Sequence, residues 1–130
     1  MNEKDREDLV KYRIDKARET FNKVSLHIEN KLWNTAVNRL CFACYYAVTA
    51  LLIKNEIKTT THAGARQMFG LHYVKTGIVD KKLGKFYSDI FDMRQTGDYE
   101  DYIDFTKKDV DDLLIPANEL ISNIEKLLRV

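Results

Sequence analysis

At 130 residues, with 45% hydrophobic and 32% charged side chains, the chain has the make-up of one folded domain, spanning residues 1–130. A formal net charge of +1 excludes a globally basic nucleic-acid binder, so any polyanion site must be a local patch. One proline and five glycines disfavour a turn-rich β architecture and favour long helices.

The amino end, MNEKDREDLV, carries charge where a secretion signal needs an apolar core. Val10, Ile14, Ala17, Phe21, Val24 and Ile28 then alternate in steps of four and three, which predicts a first helix over about Glu3 to Asn30. That stripe could pack inward or serve self-association. A second helix is predicted over about Leu32 to Asn55. Trp33, Val37, Leu40, Cys44, Ala47, Val48 and Leu51 make its main stripe, and Leu32, Ala36, Phe42, Tyr45 and Leu52 widen it. An apolar surface this broad marks a central helix with neighbours on several sides. Its most apolar run, Leu40 to Ile53, reads as too short and too mixed with tyrosine and threonine to cross a bilayer.

KTTTHAG follows, and Thr60 or Thr61 suits an N-cap. A third helix is predicted from about Ala63 to Lys75, ending at Gly77. A fourth runs from about Asp80 to Gln95, with Thr96 to Phe105 as a loop. Thr106 and Asp109 resemble a capping box with Asp in place of Glu. They open a fifth helix whose apolar stripe, from Val110 to Leu128, is interrupted by Pro116. An interior proline costs about 3 kcal/mol, which predicts a kink or a later start. The expected fold is all-α, an up-and-down bundle of about five helices.

Several residues stand out as chemistry. Cys41 and Cys44 form C-x-x-C, but mid-helix, away from the helix start that activates a redox thiol, and no second pair completes a zinc site. They read as buried structural thiols, reduced in a cytoplasmic protein. No metal-ligand spacing is present, and no cofactor is implied. His62 and Arg66, four apart at the third helix's start, could hold a phosphate or merely form a solvated first turn. His72 reads as a half-buried packing residue and His27 as a surface one. Arg39, beside a broad apolar surface, calls for a carboxylate, with Asp92, Asp98 and Glu100 as candidates. Arg94 falls four after Ile90, where another core residue is due, and so projects toward the buried edge. Acids between Asp98 and Asp112 outnumber Lys107 and Lys108, so Arg94 could anchor that stretch by a carboxylate fork. The same acids weigh against a broad RNA platform there.

NRLCFACYYAVTALL (Asn38 to Leu52), TTHAGARQMFGLHYVKTG (Thr60 to Gly77) and RQTGDY (Arg94 to Tyr99), in this order, resemble a HEPN domain. The resemblance implies a helical bundle, a homodimer, and a partner nucleotidyltransferase in a toxin–antitoxin arrangement. Many members are metal-independent ribonucleases that use an arginine, four to six residues, then a histidine. Arg94 matches the arginine, but Tyr99 to Asp101 contain no histidine. A tyrosine of pKa ≈ 10 is a poor base at neutral pH, so the ribonuclease reading needs His62 or His72 from another helix.

Two functions are therefore expected. The first is binding of a nucleotide, RNA or a nucleotidyltransferase at Arg94, Asp98 and Tyr99, supported by Arg39, His62 and Arg66. The second is a ribonuclease in which Arg94 stabilises the transition state and His62 or Tyr99 moves protons. A purely structural dimerisation domain is the third alternative. Tyr99 and Tyr102 are candidates for nucleotidyl modification.

Overall fold

The computed structural model describes residues 1–99 and 103–129, the side chains of Asp98 and Tyr99 excepted. Five α-helices, α1 (Glu3–Glu29), α2 (Trp33–Lys54), α3 (His62–Phe69), α4 (Lys81–Tyr99) and α5 (Lys107–Arg129), form an all-α bundle with no strand among the described residues. Asn2 caps α1, its Oδ1 accepting from the Asp5 N–H at 2.8 Å. The chain reverses through Lys31 in a left-handed conformation (φ 57°) and enters α2.

Helix α2 is the axle. It packs against all four other helices, as its broad apolar surface demands. Ala36, Ala43, Ala47 and Ala50 are fully buried and let the neighbouring backbones approach, while Leu40, Val48 and Leu52 fill the space between. By length and composition α2 could cross a membrane, against the expectation drawn from Leu40 to Ile53 alone, but 67% of its most apolar window is buried inside the bundle. The α1 stripe packs inward too. Ala17 and Val24 are buried, and Ile14, Phe21 and Ile28 lie against the core, so that stripe is already covered. Arg18 clamps α1 to α5, donating to Asn118 Oδ1 at 2.6 Å and to Glu125 Oε1 at 2.6 Å.

Thr61 caps α3, its Oγ1 accepting from the Gly64 N–H at 2.9 Å. The helix passes into a π turn over Gly70–Val74, where the Lys75 N–H reaches the Gly70 carbonyl. The wider turn shifts the phase of the face. Tyr73 is buried beside Phe69, and His72 is exposed, which corrects its reading as a packing residue. His27, expected at the surface, is partly buried.

Helix α4 continues past Gln95 to Tyr99, so the first part of the expected loop is helical. Gly97 permits this, because a Cβ there would lie 2.5 Å from Phe105 Cε2. The Phe105 segment is held in turn by Asn34, whose Oδ1 accepts from the Phe105 N–H at 2.8 Å. The Thr106–Asp109 box closes in both directions, Thr106 N–H to Asp109 Oδ2 at 2.8 Å and Asp109 N–H to Thr106 Oγ1 at 3.2 Å. Pro116 lies inside α5 and does not delay its start. Val110, Leu113, Leu120, Ile121 and Ile124 are buried on that helix. Each contributes roughly 1.5–3 kcal/mol, which together outweigh the proline's ~3 kcal/mol.

Candidate functional site

The second stripe of α2 carries rings instead of aliphatics. Phe42 is three residues after Arg39, and Tyr45 and Tyr46 are three and four after Phe42, so the four share a side of the helix away from the alanine-lined core. Phe42 lies at the centre of a cationic cluster. The Arg39 guanidinium lies 4.8 Å from its ring centroid, and the Arg94 guanidinium, arriving from α4, also lies 4.8 Å from it. Each is within cation–π range, so the aromatic ring lets two positive charges converge. Arg94 is half-buried and turned inward, which answers why the α4 stripe ends on an arginine.

His62, the first residue of α3, completes the cluster. Its ring stacks on Tyr45 at 3.9 Å with a 12° interplanar angle and meets Phe42 edge-on at 5.3 Å. Burial, and secondarily the charge of Arg94, hold its pKa below the usual histidine value, so the imidazole is neutral at physiological pH. Its Nδ1 is buried with no hydrogen-bond partner among the described residues. A neutral imidazole keeps one ring N–H, so His62 can still donate a hydrogen bond.

Arg66 lies one turn along α3. Its guanidinium sits 4.2 Å over the Phe91 ring and donates to Asp92 Oδ1 at 2.9 Å. Phe91 also faces His62 at 6.4 Å. The structure thus brings Arg39, His62, Arg66 and Arg94 from three helices onto one aromatic floor. The strip continues along α1. Lys16 Nζ lies 5.5 Å from the Tyr46 ring and 5.6 Å from the exposed Tyr12 ring. Cations interleaved with rings can pair with phosphates and offer π-faces to bases.

The sequence profile of the HEPN domain matches residues 10–127. The chain belongs to the HEPN family. A UPF0332 protein of Thermotoga maritima is 38% identical over 98% of this chain and 96% of its own length. Two proteins of Methanocaldococcus jannaschii named as candidate toxins are 28% and 27% identical, covering 88% and 97% of this HEPN chain and 78% and 93% of their own lengths.

Within this HEPN domain one ion-pair expectation changes. Asp92 pairs with Arg66 and not with Arg39. Arg39 has no carboxylate partner among the described residues. It leans on Phe42, and its Nε donates to Asn38 Oδ1 at 3.2 Å. The expectations placed on the Asp98 and Tyr99 side chains, and on Glu100, Asp101 and Tyr102, lie outside the described residues. Cys41 and Cys44 are buried thiols not joined in a disulfide, and desolvation pushes the Cys44 thiol far up, away from the thiolate that redox or metal chemistry uses. Among the described residues no three His, Cys, Asp or Glu side chains cluster as a metal site. Phe42 and Tyr45, read from sequence as apolar surface, form with Phe91 the floor on which the cations rest. The available signal was an aromatic residue three positions from an arginine, Phe42 after Arg39 and Phe91 before Arg94.

Proposed function

We propose that this HEPN domain binds phosphates of RNA or of a nucleotide at the Arg39–His62–Arg66–Arg94 cluster, and that it does so as the toxin-type member of a pair with a nucleotidyltransferase. The observation that carries the reading is the pair of guanidiniums converging on Phe42 beside a neutral histidine donor. Guanidinium forks suit phosphate oxygens, and the rings around them suit bases. The relatives named as candidate toxins support the toxin-type assignment. Family likeness supports homodimerisation, and the two buried cysteines outside any disulfide support a cytoplasmic setting.

A metal-independent ribonuclease is the second reading. One observation favours it: His62, from a different helix, shares the Phe42 ring with Arg94, and the charge of Arg94 adds to burial in keeping the imidazole neutral.

Fluorescence anisotropy with a short labelled single-stranded RNA, without metal, tests both. Arg39→Ala and Arg94→Ala are each expected to weaken binding about tenfold or more, with a shallower salt dependence. Wild-type affinity in both variants, with the fold intact by circular dichroism, sinks the binding reading. Cleavage of the RNA that vanishes in His62→Ala promotes the ribonuclease.

A further inference from the structure

Tyr45 has two neighbours. One side of its surroundings is His62 and the arginine cluster. The other is a cavity of ≈ 520 Å³ between the first turns of α1, the end of α2 and the segment before α3. Its size falls in the range of small-molecule sites. Leu9, Leu52 and Ile57 supply apolar walls. Arg13 supplies charge, and it is positioned: Thr49 Oγ1, 5% exposed, donates to the Tyr46 carbonyl at 2.9 Å, leaving a lone pair toward Arg13 Nη1 at 3.4 Å. Among the described residues Arg13 has no ion pair, whereas nearby Arg6 is committed to Glu3 and Glu56.

The cavity therefore combines apolar walls with cationic donors from Arg13 and Lys58, while the Arg6 guanidinium in its lining is taken up by Glu56, and it adjoins the cluster to which phosphate binding was assigned. We infer that it is the nucleobase subsite of the same ligand. It takes a base with an acceptor-rich edge, guanine through O6 and N7 on Arg13, while the sugar passes Tyr45 and the phosphate lies on Arg39 and Arg94. The inference rests on the phosphate reading above. Arginine offers its fork to O6 and N7 of guanine, whereas adenine presents an N6 donor at that edge and meets the guanidinium with like polarity.

Amide chemical-shift titrations of the full chain with GMP, AMP and ribose 5-phosphate test it. GMP is expected to bind about tenfold tighter than AMP, and tighter still than ribose 5-phosphate. Arg13→Gln and Arg13→Lys, the latter keeping the charge but losing the fork, each bring GMP to the level of AMP and leave ribose 5-phosphate unchanged. Thr60→Trp, which fills the mouth from an exposed position, brings GMP down to ribose 5-phosphate. Arg94→Ala weakens all three probes. Equal binding of the three probes, still dependent on Arg94, overturns the base subsite and leaves the phosphate site standing. A guanine preference that survives both Arg13 variants and Thr60→Trp also overturns it. Failure of every probe to bind, or indifference to Arg94, overturns both readings.

Discussion

The two sides of α2 do different work with similar apolarity. One side, with Ala36, Leu40, Ala43, Ala47 and Val48, is fully buried and meets helices. The other, with Arg39, Phe42, Tyr45 and Tyr46, stays half-exposed and meets cations. The difference teaches that a wide hydrophobic arc on a helix is not all core. Aliphatics and alanines bury completely, because nothing on them needs water. Rings with a negative face can stay near solvent and hold guanidiniums.

The comparison breaks most visibly by truncating one residue on each side. Leu40→Ala is expected to cost about 2–5 kcal/mol, with RNA affinity retained in the folded fraction. Phe42→Ala, half-exposed, is expected to cost only about 1–2 kcal/mol, below the range for fully buried aromatics, while removing the shared seat of Arg39 and Arg94. Urea denaturation and anisotropy on both variants measure the split. Equal stability costs with equal affinities would erase the distinction.

An effect smaller than that of Leu40→Ala is expected where α4 delivers Arg94. Gly97→Ala would place a methyl against Phe105, which Asn34 holds in place, so overpacking of about 1–3 kcal/mol follows. A lowered thermal midpoint checks it, and an unchanged one would show that the Phe105 segment yields freely.

The smallest effect sharpens the cluster's electrostatics. His62 has its pKa lowered first by burial and then by Arg94. The unfolded state therefore binds its proton more readily than the folded state does. The associated stability is present above the unfolded value of about 6.5 and is lost as pH falls through the lowered folded value. In Arg94→Ala the His62 midpoint should rise yet stay below the unfolded value, because burial remains. Titration of the imidazole resonances by NMR measures it, and an unmoved midpoint would separate His62 from Arg94.

Much of this was legible from sequence. The helical class, the central role of α2, the Thr106–Asp109 box and the inward turn of Arg94 all follow from periodicity and capping chemistry, which are local. Three things were not. The exposure of His72 depends on a π turn at Gly70–Val74 that no 3.6-residue count detects. The extension of α4 to Tyr99 depends on Phe105 packing on Gly97. The partner of Asp92 depends on which of two arginines α3 and α2 bring within reach.

The sequence by itself determined which residues bear charge, which bear rings and which faces they share, because side-chain direction on a helix is set by residue spacing. Only the tertiary structure decided that Arg39, His62, Arg66 and Arg94 meet on one aromatic floor. They lie on three helices, and their convergence is fixed by how α2 packs against α3 and α4, a long-range arrangement that no local spacing encodes.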